Sequence, residues 1–148
     1  MRGLDAPTPD DVLALVRATC PGVRVLHDDA SLFFLYDPKG DLPAAKQVPF
    51  ATVVTSDKYD AASDLTSRGL WRLNLGIGVA AYKEIFGQPP AFPKDGGIVP
   101  GRDYTVRDTV LPHPVYAAMG WVCIVAPQET WSEAQELLAL AYVNASKG

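Results

Sequence analysis

The sequence is poor in the residues from which metal and redox centres are built. It holds two histidines and two cysteines in 148 residues. His27 and His113 stand far apart, and neither an H-x-x-x-H nor a C-x-x-C spacing occurs, so no metal and no cofactor is expected. Cys20 falls at a helix end and Cys123 inside an apolar run, where two buried, reduced thiols are the natural reading. Positive charge is in short supply too: 13 Lys and Arg against 17 Asp and Glu give a net charge of −4 and a pI near 5.0. That speaks against a nucleic-acid partner, which would call for a basic surface to displace counterions from phosphates. No apolar run reaches the roughly twenty residues that cross a bilayer. The opening MRGLDAPTPDD is polar and acidic, unlike a secretory signal. A soluble, cytoplasmic protein with no membrane partner is the expectation. No repeats, low-complexity tracts or linkers break the chain, which reads as one domain over residues 1–148. G-x-S-x-G is missing as well, and with it any support for a serine nucleophile.

What is abundant is backbone punctuation, with 13 prolines and 12 glycines that mark stiff, well-defined loops. A helix is expected over 9–19, capped by Thr8, with Pro9 at its first position and Asp10 and Asp11 at the positive end of its dipole. Val12, Leu13, Leu15, Val16 and Thr19 supply its inward face, and Cys20-Pro21-Gly22 stops it. Residues 23–28 and 31–36 read as an antiparallel hairpin, followed by strands at 50–55 and 70–75. A short helix at 79–86 leads into the Pro- and Gly-rich stretch 87–103, too long for an ordinary connector and therefore a flap or a loop over a site. Residues 104–111 fit a helical turn or a short strand. An apolar strand at 120–126 precedes a helix to about 144, whose Thr130-Trp131-Ser132-Glu133 start spells a capping box. The sum is an α+β fold: an antiparallel sheet of about five strands, with an N-terminal helix, a short middle helix and a C-terminal helix packed on it.

Gly76-Ile77-Gly78-Val79-Ala80-Ala81 spells the G-x-G-x-x-A of dinucleotide sites. The surrounding unit lacks what the motif needs, a crossover to a parallel strand ending in an acidic residue roughly twenty places on. A strand exit and a glycine helix cap, with Val79, Tyr82 and Phe86 facing the core, account for the same letters. An anion at this helix N-terminus near Arg72 is a lesser possibility.

The densest group of polar and aromatic residues is LPHPVYAAMGWV, residues 111–122, where two prolines fix the backbone around His113. An acid–base role for His113 requires a carboxylate partner, with Asp108, Asp37 or Asp64 as candidates; a hydrogen-bonded turn histidine is the simpler reading. In the strand 70–75, Arg72 and Asn74 share one face, opposite Trp71, Leu73 and Leu75. A solvated sheet face is the simpler reading of the pair. The functional one is a polar pocket lined by Tyr36, Arg72, Asn74, His113 and Tyr116. The aspartates at 28, 29, 37, 41, 57, 60 and 64 are read as turn formers, bonding to nearby amides.

FFLYDP, PFATVVTSD, SDLTSRGLWRLNLGIG and LPHPVYAAMGWVCIVAP together resemble a small uncharacterised bacterial domain family over nearly the whole chain. More distantly, the strand layout, the Asn74-Leu75 strand and the approach from Tyr116 to Trp121 are similar to the MmcQ/YjbR-like double-wing proteins. That resemblance implies an α+β fold and a DNA-binding role, but Ala117-Ala118-Met119-Gly120 stands where those relatives place basic and polar residues. The leading expectation is a non-catalytic protein that binds a small molecule or a protein partner near His113 and Arg72. The alternatives are a DNA-binding module and an acid–base enzyme using His113.

Overall fold

Thr8 and Asp11 exchange hydrogen bonds at the start of the first helix in the computed structural model, which describes residues 6–147. Residues 1–5, part of the polar opening, and Gly148 lie outside the described residues. Thr8 N donates to Asp11 Oδ2 at 2.8 Å and Asp11 N to Thr8 Oγ1 at 3.4 Å, a reciprocal cap for α1, Pro9–Thr19. Val12 and Val16 are buried, Leu13 and Leu15 half-buried; Thr19, expected on the inward face, is exposed and bonds back to Leu15 O.

The six strands are β1 (Val23–Asp28), β2 (Ser31–Tyr36), β3 (Ala51–Val54), β4 (Arg72–Gly76), β5 (Val110–Pro112) and β6 (Trp121–Val125). They form one antiparallel sheet in the order β1-β2-β3-β4-β6-β5. The expected five strands become six because Val110–Pro112 adds an edge strand, which resolves the ambiguous 104–111 stretch. The remaining helices are α2 (Leu65–Arg68), a single turn within the polar 56–69 connection, α3 (Val79–Phe86) and α4 (Trp131–Ser146).

Strand alternation gives the sheet two different faces. Leu32, Phe34, Ala51, Val53, Leu73, Leu75, Val122 and Ile124 meet Val12 and Val16 of α1 and Ala134, Leu137, Leu138 and Ala141 of α4 in the main apolar core. The other face carries Phe33, Thr52, Val54, Arg72, Asn74 and Cys123, which the register aligns across β2, β3, β4 and β6. No helix of that second face rivals α1 and α4; loops cover it instead.

The glycines of the fingerprint serve close packing. A Cβ on Gly76 would lie 2.7 Å from the Trp121 ring, and Gly78 N donates to Gly120 O at 3.2 Å. Gly78 caps α3 at a φ of +92° and Tyr82 is buried, but Val79, expected in the core, is 40% exposed. The capping box expected at Thr130 does not form. The Thr130 side chain turns instead to Asp108, whose carboxylate also accepts the backbone N–H groups of Gln128, Glu129 and Thr130.

Candidate functional site

Arg72 occupies the centre of the sheet, between β3 and β6, with 1% of its surface exposed. A guanidinium so placed is tolerable only when its charge and its N–H groups are matched. Asp60, from the β3–β4 connection, supplies the charge through a two-pronged contact: Nη1 to Oδ1 at 3.0 Å and Nη2 to Oδ2 at 2.7 Å. Ser63 Oγ accepts from Nη1 at 2.9 Å, and Asn74 Oδ1 accepts from Nε at 2.8 Å. Asn74 Nδ2 then donates to Thr52 Oγ1 at 2.9 Å. The result is a continuous polar line, Thr52–Asn74–Arg72–Asp60, with Ser63 at its side. The solvated sheet face expected for Arg72 and Asn74 is therefore corrected: Asn74 is only 2% exposed. The covering loops come from distant segments, which strand periodicity cannot register.

Asp60 was expected to shape a turn and does so, accepting Ala62 N at 3.1 Å. Its pairing with Arg72 was not expected, since no motif spacing links the two. Burial alone would push the Asp60 carboxyl up; hydrogen bonding to Arg72 and the arginine's charge outweigh it and hold the group below its ordinary value.

His113 stands beside this line, directly after β5, and is 4% exposed. Its Nδ1 accepts two backbone N–H groups, from Val115 and Tyr116, each at 3.0 Å. An atom that accepts twice carries no proton, so the neutral ring bears its hydrogen on Nε2. Burial, reinforced by the charge of Arg72, depresses the His113 pKa to about 3. The carboxylates considered as partners are engaged elsewhere. Asp108 caps α4, Asp37 faces Arg24 at 3.1 Å, and Asp64 accepts from Ser67. Cys123, on the same sheet face, is fully buried, and burial pushes its thiol up to about 12.

Over these groups lies a cavity of about 700 Å³, with Thr52, Asp60, Arg72, Asn74 and His113 among its lining residues. Its apolar walls include Phe33, Tyr59, Ile98, Tyr116, Met119 and Trp121. Ile98 belongs to the 87–103 loop, which is tied to the site where Val99 N donates to Pro114 O at 2.8 Å. The His113 ring lies 5.1 Å from Tyr116 and 6.1 Å from Trp121, forming an aromatic wall. Four of the five residues expected at a pocket thus come together. The fifth, Tyr36, does not: it packs on the helix side of the sheet, its ring 5.8 Å from that of Tyr142 on α4. Tyr36 is three positions from the wall residue Phe33, an odd offset that places it on the opposite face of β2.

Among the described residues no three His, Cys, Asp or Glu side chains converge as a metal site would require, and no helix is long and apolar enough to cross a membrane. Of the basic residues that a duplex-binding face would gather, Arg24, Lys58 and Arg72 each face a carboxylate, and Arg102 lies over the Phe86 ring.

Fold and site together define an α+β protein with a loop-roofed pocket, polar at its floor, on the sheet face opposite α1 and α4. The chain belongs to a family of unknown function, DUF6194, whose pattern matches residues 7–147. No curated protein and no solved structure matches it.

Proposed function

We propose that this protein binds a small amphipathic molecule in the pocket above Arg72, Asn74 and His113. The observation that carries the reading is a continuous hydrogen-bonded polar network, its buried charges paired, at the base of an open cavity. Apolar side chains would fill the same space at lower cost in desolvation. A fixed polar floor under apolar walls, in a volume suited to a small organic ligand, is what recognition of one molecule requires. His113 contributes as a neutral hydrogen-bond donor. Its Nδ1 is committed to the backbone and its proton affinity is low, which suits it poorly to proton transfer near neutral pH.

The test is amide NMR of the protein against a mixed set of amphipathic aromatic fragments. Binders should move the Ala61, Ile98, Val115 and Tyr116 signals together. Ala61 is exposed and lines the cavity. Ala61→Trp should therefore fill the mouth without disturbing the core, and abolish those shifts. Fragments that bind equally well to Ala61→Trp, or that shift only residues elsewhere, would contradict the proposal.

A further inference from the structure

The hydrogen bonds that the floor has already made determine what it has left to offer, and this inference rests on the binding proposal above. Arg72 spends Nε–H on Asn74, both Nη1 protons on Asp60 and Ser63, and one Nη2 proton on Asp60, leaving the second Nη2 proton. Asn74 spends its carbonyl on Arg72 and one amide proton on Thr52, leaving the other amide proton. Thr52 accepts from Asn74, so its hydroxyl proton remains. His113 has spent its acceptor on two backbone amides and keeps Nε2–H. Each of these four side chains therefore has a donor to spare. The spare acceptor sites are fewer: Asn74 Oδ1 and Thr52 Oγ1 each keep one lone pair, and Asp60 keeps one site after taking Arg72 on both oxygens and Ala62 on one.

Charge narrows the choice further. The Arg72 and Asp60 charges cancel at 2.7 Å, and His113 is neutral. An anionic ligand would bring a charge into this buried floor with no unmatched cation to meet it, at a desolvation penalty. An uncharged oxygen acceptor pays no such penalty. Around the floor stand Phe33, Tyr59, Tyr116 and Trp121, whose rings favour a flat apolar body.

We infer that the ligand is an uncharged carbonyl compound, a ketone, amide or lactam, with its oxygen on the Arg72–Asn74–His113 floor and a flat apolar body between the aromatic walls.

The test uses three probes of one shape: naphthyl methyl ketone, naphthoate and ethylnaphthalene, each titrated by amide NMR. The ketone should bind about tenfold or more tightly than either of the others, the scale of one net hydrogen bond or two. Asn74→Asp keeps an acceptor for Arg72 Nε–H but replaces the spare donor with a charge. In that variant the ketone should lose about tenfold while ethylnaphthalene is unchanged. If that variant fails to fold, the wild-type series alone decides. Naphthoate binding best, or ethylnaphthalene binding as well as the ketone, would overturn the carbonyl assignment and leave pocket binding standing. If none of the three moves the pocket amides, while fragments of other shapes do, the assignment of a flat body fails. If nothing moves them, the binding proposal itself fails.

Discussion

Arg72 keeps its charge inside the sheet because Asp60 meets it along two parallel contacts, and each partner is tolerable only in the presence of the other. Arg72→Met should cost about 3–5 kcal/mol in denaturant unfolding, because it strands a largely buried carboxylate. Asp60→Leu should cost a comparable amount, and the double variant clearly less than the sum; strict additivity would show that the pair is not coupled. His113 makes a prediction in pH. Its folded pKa, about 3, lies below the ordinary 6.5, so the fold favours the neutral ring. Above pH 6.5 this costs nothing. As pH falls from there toward 3, the unfolded chain gains a proton that the folded chain refuses, and stability declines by at most ~1.4 kcal/mol per pH unit. Depressed carboxylates such as Asp108, held at about 2, act in a lower window: their contribution is complete above 3.8 and is lost as pH falls through 2. His113→Asn offers an oxygen to the same backbone amides without titrating, and should flatten the stability profile between pH 6.5 and 4. An unchanged slope would contradict the buried neutral ring. At this scale the sequence was informative where a residue broke a pattern. Arg72 and Asn74 stood out because they interrupt an apolar strand, and His113 because prolines flank it. Asp60 did not stand out, since one aspartate among many in a polar connection looks like a turn former.

Helix starts show how the same local signal can have different outcomes. Thr8-Pro9-Asp10-Asp11 forms the cap its spelling promises. Thr130-Trp131-Ser132-Glu133 has equivalent letters, yet Asp108 reaches the start of α4 first. Asp108 holds a φ of +52°, a conformation that aspartate tolerates better than most residues, and accepts four hydrogen bonds there. A contact across some twenty residues leaves no periodic trace. Asp108→Ala should destabilise the protein by about 1–2 kcal/mol, as loss of a helix cap does, and Asp108→Asn by less, because its one oxygen keeps part of the cap; no loss in Asp108→Ala would contradict the capping role. Gly120 is the other element-scale determinant. A Cβ there would lie 2.2 Å from the carbonyl carbon of Gly78, at a φ of +81°. Gly120→Ala should cost about 3 kcal/mol or more, read as a lowered midpoint in thermal unfolding. The glycine fingerprint was legible as a strand exit and helix cap. Its partner, Gly120, was not, because the two segments meet only once β6 lies beside β4.

Across the whole molecule, the site follows from strand order. The chain leaves β4 through α3 and the 87–103 loop, reaches the far edge as β5, and returns as β6 beside β4. That path brings Thr52 of β3, Arg72 and Asn74 of β4, His113 after β5 and Asp60 of the β3–β4 connection to one face. The α+β class and most elements could be read from periodicity and punctuation, and four of five pocket residues from their chemistry. Strand order, the sixth strand and the loop roof could not, because they depend on contacts between segments far apart in sequence. The central claim, a preformed neutral floor that holds spare donors toward the cavity, is tested most directly by ring-nitrogen NMR of His113 through a pH titration, with and without naphthyl methyl ketone. The account predicts an unprotonated Nδ1 and a protonated Nε2 that persist unchanged from pH 8 to about 5. It also predicts an Nε2 signal that moves when the ketone binds. A ring that titrates near its ordinary 6.5, or an Nε2 signal indifferent to the bound ketone, would contradict it.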